Sequence, residues 1–233
     1  TETDGCVVSG AVEAAGHAVI GQDIGVLAAI GEIGVALSDD AGAMIENADA
    51  IIDFTAPAVT VSNAMICKEA GTALIAGTTG LDDDQNAAIL EAAKSVPIVS
   101  APNMSVGITL LLGLTEQVAG LLGPEFDIEI VEMHHRHKVD APSGTAIGLG
   151  EAAAAGRQVT LRDVKRAVRD GHTGARPEGE IGFATLRGGN VVGDHTVVFA
   201  GEGERIELTH KAASRVIFAG GAVRAALWTR YKE

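Results

Sequence analysis

The alternation of short apolar runs with stretches of helical spacing over the first hundred residues constrains this chain more than any other feature. Residues 6–12 (CVVSGAV) read as a strand ending near Glu13, residues 50–54 (AIIDF) as a second, 73–76 (ALIA) as a third and 97–100 (PIVS) as a fourth. Residues 57–70 have helical spacing, with Pro57 in the first turn and Gly71 just past the end. Residues 82–95 have it again, opened by Asp82, Asp83 and Asp84, which suit the positive end of a helix dipole. Parallel strands need a crossover, and a helix is the usual one, so this alternation predicts βαβ units and a parallel sheet. Residues 110–122 then read as a long buried helix.

The second half has a different texture. Residues 127–133 (DIEIVEM) alternate with period two, as in a sheet with one wet face. Residues 145–155 are alanine-rich and helical, and 180–211 hold alternating runs such as HTVVFA and RIELTHK parted by glycines. That pattern predicts an antiparallel or mixed sheet. Residues 216–228 return to a helix.

Charge divides along the same line. Residues 1–105 hold 15 Asp/Glu and only two cations, Lys68 and Lys94, whereas 106–233 hold 15 Lys/Arg against 16 Asp/Glu. The acidic half offers no basic surface, which argues against nucleic acid or anionic lipid as partners. Nearly all groups able to hold an anion lie in the second half. No apolar run approaches the ~20 residues of a membrane span, and no secretory signal is evident, so a cytoplasmic protein is expected. Cys6 and Cys67 are far apart and form no metal or redox motif; they read as reduced core thiols.

The chemistry concentrates between Glu132 and Ala146, EMHHRHKVDAPSGTA. Five successive residues, His134, His135, Arg136, His137 and Lys138, can carry positive charge. If the strand ends there and the run curls into a loop, several of them converge. Imidazoles exchange protons near neutral pH, and a lysine adds a fixed cation. Pro142-Ser143-Gly144-Thr145 follows and opens a helix, whose first amides bind carboxylate or phosphate; Gly144 lets a ligand approach the main chain. Other readings compete. A metal site would pair His134 with His135 or His137, but no Cys supports it, so no metal is expected. A nucleic-acid patch sits poorly on an acidic protein, and a solvated loop is the commonest fate of a charge run. Coupling to the helix start favours an anion site with proton donors.

This stretch closely resembles the signature of the 4-hydroxy-tetrahydrodipicolinate reductase (dihydrodipicolinate reductase) family. IIDFTAP (51–57), IAGTTG (75–80), SAPNMSVG (100–107), residues 170–197 and residues 207–228 resemble the family too, in its order. The resemblance implies a Rossmann-like α/β domain, residues 1–105 with 215–233, binding the dinucleotide. An inserted α+β domain, 106–214, would bind substrate and build a homotetramer. His134 would be the acid/base residue and Lys138 the proton donor. His135, with Gly144 and Thr145, would hold the carboxylates of a cyclic dicarboxylate, and Arg215 is a further contact candidate. Gly77, Thr78 and Thr79, with Ala101, Pro102, Asn103 and Met104, would line the nicotinamide side. Glu13 would bond the adenosine ribose hydroxyls; Ala14 follows it where some relatives have Arg, which tilts the expectation toward NADH over NADPH. The implied reaction is reduction to tetrahydrodipicolinate in lysine and diaminopimelate biosynthesis.

One part of the family pattern has no counterpart. The opening strand and its G-x-x-G-x-x-G turn for the pyrophosphate are not found, and the C-terminal tail reads short; terminal residues are expected to lie outside this sequence. A catalytically silent relative is therefore one rival, opposed by the intact His134 and Lys138. Another Rossmann-type dehydrogenase acting on a different carboxylate is a second.

Overall fold

The computed structural model describes residues 3–232. They divide into two compact units, residues 3–102 with 220–232, and Asn103–Ala219.

In the first unit β1 (Ala11–Val12) leads through a short helix, α1 (Ile24–Leu27), to β2 (Leu37–Ser38), which pairs with it in parallel. After α2 (Ala41–Glu46) come β3 (Ala50–Asp53), α3 (Pro57–Ala70), β4 (Ala73–Ala76), α4 (Asp83–Ala92) and β5 (Ile98–Ser100). The three strands form a second parallel sheet in the order β3-β4-β5. Central β4 is buried at every residue, as a strand covered on both faces requires. Leu74 and Ala76 pack with Ile51, Ala64 and Ile89. Helix α3 begins at Pro57, where a missing N–H costs nothing, and ends on Gly71 at φ 76°, a conformation strained for residues with a Cβ. A reciprocal cap between Asp82 and Gln85 opens α4. Cys67 lies in this core as a free thiol, pushed up to about 12 by burial and the nearby Asp53 charge.

The strand expected over 6–12 shrinks to Ala11–Val12. Residues 6–10 have no strand partner among the described residues, and Val7 is 91% exposed, so their apolar character finds no ladder to join. Between β1 and β2 the chain is organised by one side chain. Asp23 caps α1 and accepts from the amides of Gly25, Val26, Ile33, Gly34 and Val35. Partial desolvation opposes its charge, but these amides hold its carboxyl below the ordinary value.

The second unit opens with α5 (Val106–Leu121) and continues through β6 (Asp127–His134), α6 (Gly144–Gly156), α7 (Leu161–Val164), β7 (Lys165–Arg166), β8 (Ile181–Arg187), β9 (Gly193–Ala200) and β10 (Arg205–Ala212). Its mixed five-stranded sheet runs β10-β9-β6-β8-β7. Strand β6 lies at the centre, parallel to β8 and antiparallel to β9. Period-two alternation turns Ile128 and Ile130 into a core with Val197, Phe199 and Leu149. Helices α5 and α6 pack closely: a Cβ on Gly156 would lie 2.2 Å from the Glu116 carbonyl oxygen and 3.0 Å from the Gly120 nitrogen. A last helix, α8 (Val216–Thr229), follows β10, and its residues from Gly220 belong to the first unit. No helix among the described residues is long and apolar enough to cross a membrane.

Candidate active site

The inward face of β6 starts as Ile128 and Ile130 and ends as Glu132 and His134, all buried. A carboxylate taken out of water must be compensated, and Glu132, 1% exposed, is fully engaged. Parallel register sets Arg187, the last residue of β8, beside His134. From there its guanidinium donates to both Glu132 oxygens, at 2.8 and 3.0 Å. His134 Nδ1 lies 2.6 Å from Glu132 Oε2, and the Ser143 amide donates to Oε1 at 3.0 Å. Burial alone would raise the carboxyl's pKa; Arg187, His134 and the Ser143 amide together hold it below the ordinary value. An ionised Glu132 accepts only, so His134 keeps its proton on Nδ1. Its Nε2 points past Gly193, where a Cβ would come within 3.0 Å.

His195 sits opposite Glu132 in the antiparallel β6–β9 register and is 3% exposed. Its ring meets that of His134 edge-on at 5.1 Å between centroids. Burial, reinforced by His134, pushes its pKa down to about 4, so the imidazole is neutral near pH 7. Its Nε2 is 3.1 Å from Ser143 Oγ. Ser143 is the N-cap of α6, and the same Oγ accepts from the Ala146 amide at 3.1 Å.

Beyond His134 the strand stops and the cationic run curls into a turn, with the Lys138 amide donating to the His135 carbonyl at 3.1 Å. Lys138 Nζ is 2.7 Å from Asp140 Oδ1, and the Asp140 carbonyl accepts from Arg187 Nη2 at 2.7 Å. His135 Nε2 lies 3.4 Å from Arg215 Nη2. Lost hydration, then the Arg215 charge, keeps the His135 imidazole below its ordinary pKa. At the start of α6, Gly144 is exposed, with no atom within 4 Å of where a Cβ would stand. Thr145 Oγ1 accepts from Asn103 Nδ2 at 3.0 Å. Sequence reasoning set Asn103 on the cofactor side and Thr145 on the substrate side; the structure brings them together. Met104 is buried nearby in sequence, at 6% exposure.

The remaining cofactor candidates lie in the first unit. Glu13 follows β1 and is exposed, its carboxylate accepting from the Ala14 amide at 2.8 Å. Gly77, Thr78 and Thr79 follow β4, and Ala101 and Pro102 follow β5. These are carboxyl ends of parallel strands, where open α/β sheets bind ligands. Thr79 is exposed, whereas the buried Thr78 hydroxyl is taken up internally, accepting from Thr60 and the Thr55 amide and donating to Asp53.

Among the described residues no group of three or more His, Cys, Asp or Glu side chains is arranged to hold a metal ion. Glu132, Ser143, Arg187 and His195 escaped the sequence reading as site residues. A signal for two of them was present: in DIEIVEMH and GDHTVVFA the alternation places Glu132 and His195 on the apolar face, where a polar group needs a partner.

Comparison with known proteins bears on this arrangement as a whole. The models of dihydrodipicolinate reductase match the N-terminus over residues 1–104 and the C-terminus over 107–233. The 4-hydroxy-tetrahydrodipicolinate reductase of Methylocella silvestris is 56% identical over 232 residues, covering 100% of this chain and 85% of its own length. That of Rhodopseudomonas palustris strain HaA2 is 54% identical over 233 residues, covering 100% and 86%. In fold, the chain is similar to dipicolinate-bound dihydrodipicolinate reductase from Paenisporosarcina sp. TG-14, with a TM-score of 0.74 at 22% identity over 98% of this chain and 86% of the other. An α/β fold with a parallel-sheet Rossmann-like part and a mixed-sheet part, matched along its whole length, makes this chain a member of the dihydrodipicolinate reductase family.

Proposed function

We propose that this chain reduces 4-hydroxy-tetrahydrodipicolinate to tetrahydrodipicolinate, on the route to diaminopimelate and lysine, drawing hydride from a reduced nicotinamide dinucleotide. The observation that carries the reading is the joining of a Glu132-oriented imidazole, a lysine turn and an open helix N-terminus within one stretch of a full-length family match. The substrate is a cyclic dianion. The Gly144 and Thr145 amides, the Thr145 hydroxyl, His135 and Arg215 bind its carboxylates. Loss of the 4-hydroxyl as water leaves a conjugated imine, to which a reduced nicotinamide, when bound, would supply hydride. His134 and Lys138 face the negative charge that then develops: Lys138 delivers the proton from Nζ, and His134, its Nδ1 committed to Glu132, handles protons at Nε2. Asp140 holds the Lys138 ammonium in readiness.

The residues fit such a cofactor. Glu13 presents an exposed carboxylate that accepts from its neighbour's amide, and Thr79 is exposed after β4. With Ala14 next in line and no cation beside Glu13 in sequence, NADH is favoured over NADPH. The mixed sheet of the second unit is assigned to a homotetramer. The test follows NADH oxidation with freshly generated substrate, comparing the protein with Lys138→Ala. Loss of a general acid predicts a fall in kcat of about 100-fold or more. Undiminished turnover in the variant refutes the proton-donor role, and no turnover in the parent favours a silent relative.

A further inference from the structure

Three separate stretches supply the groups assigned to substrate: the end of β6 with His134, the turn with Lys138 and Asp140, and the first turn of α6 with Gly144 and Thr145. One ion pair, its carboxylate buried and its guanidinium partly exposed, touches all three. Glu132 accepts from His134 Nδ1 through Oε2, at 2.6 Å, and from the Ser143 amide through Oε1, at 3.0 Å. Arg187 grips both oxygens, at 2.8 and 3.0 Å, and donates from Nη2 to the Asp140 carbonyl at 2.7 Å. We propose that Glu132 and Arg187 are positioning residues that set imidazole, lysine turn and anion-binding helix end in mutual register, so that one pair fixes both recognition and protonation. The assignment rests on the function proposed above.

Stability alone is a poor reason for this pair. Buried ion pairs are often replaced by apolar residues at no loss, because desolvation offsets their attraction. An apolar residue at 132 would simply continue the Ile128–Ile130 face. What an apolar pair cannot do is accept from two different segments while donating to a third. The count of acceptor sites is also full. A carboxylate offers about four lone-pair positions, and all are used: two by Arg187, one by His134 and one by Ser143. Glutamine, the same shape, has one accepting oxygen and one donating NH2. Whichever way it turns, its NH2 faces donors, and either the His134 bond or the Ser143 bond is lost.

The experiment uses the full chain, as Glu132→Gln, Arg187→Lys and the charge-balanced double variant Glu132→Gln/Arg187→Met. Two readouts need no turnover: the side-chain 15N spectrum of His134, which reports its tautomer, and calorimetric binding of dipicolinate. In the parent, His134 is expected as a single Nδ1–H tautomer. Glu132→Gln is expected to mix the tautomers or to weaken dipicolinate binding by about tenfold or more, the loss of a hydrogen bond to a charged group. Arg187→Lys keeps the charge but not the fork, and is expected to lower kcat through the Asp140 turn. The double variant removes the uncompensated charge, so Tm is expected to recover while tautomer and affinity do not. A purely structural pair predicts that all three recover together, which overturns the proposal. So does Glu132→Gln with parental tautomer and affinity. If the parent neither turns over nor binds dipicolinate, the proposed reaction fails, while the His134 spectrum still decides the Glu132 contact by itself.

Discussion

Replacing His195 with glutamine tests whether the floor of the site is held by an imidazole that stays neutral. His195 is 3% exposed and touches Ser143 through Nε2, a contact that glutamine's terminal amide can keep. Burial, the largest effect, joins His134, His210 and Lys138 in resisting its protonation, with Glu132 opposing them, and the balance pushes its pKa from 6.5 to about 4. The sign follows from linkage. Between those values the unfolded chain binds a proton that the folded chain refuses, so stability is intact above pH 6.5 and falls as pH drops toward about 4. That interval, at about 1.4 kcal/mol for each tenfold step, amounts to about 3 kcal/mol. The ion-paired carboxyls of Glu129, Glu132 and Asp140 titrate below their ordinary 4.5, 4.5 and 3.8, beneath most of this window. Urea unfolding followed by far-UV circular dichroism, from about pH 7 down to about pH 4.5, should show a steeper acid decline in the parent than in His195→Gln. The two curves should diverge by about 1 kcal/mol or more per pH unit once below the unfolded histidine's titration. Parallel curves across that range refute a neutral, desolvated His195.

Gly156→Ala drives a Cβ against the Glu116 carbonyl oxygen, 2.2 Å away in the unshifted backbone, so α5 and α6 must part. A loss of about 1–3 kcal/mol is expected as a lower Tm, and an unchanged Tm contradicts the close approach. Thr145→Val removes the acceptor of the Asn103 amide; dipicolinate binding should weaken by about tenfold by calorimetry, with a stability cost of about 1 kcal/mol. Glu13→Ala should raise KM for NADH more than for NADPH, and an equal effect on both removes Glu13 from the ribose contact.

Legibility followed punctuation and period. Helix α3 was readable because Pro57 and Gly71 bracket it with residues whose backbone preferences are strong, and β6 because its opening residues, Asp127-Ile128-Glu129-Ile130, alternate polar with apolar. The stretch from α1 to α2 was not readable. Its order comes from Asp23 reaching amides 10 to 12 residues ahead, and nothing in local spacing announces such a contact. The site was half legible for the same reason. His134, Lys138, Gly144 and Thr145 are near neighbours along the chain, and their chemistry declares itself as a run. Arg187 and His195 come from β8 and β9, and reach Glu132 and His134 only through strand register, which a single sequence does not state.

Helix α6 is fastened at both ends. Ser143 ties its start to Glu132 and His195, and the contact of Gly156 with Glu116 and Gly120 locks its last turn against α5. The amides proposed to bind a carboxylate are therefore held in place by the fold itself. Their dipoles need no reorganisation, and little backbone entropy remains to be lost on that side of the ligand. Under the proposed function, adaptation to a differently shaped dianion would fall to the turn carrying His135 and Lys138 rather than to the helix.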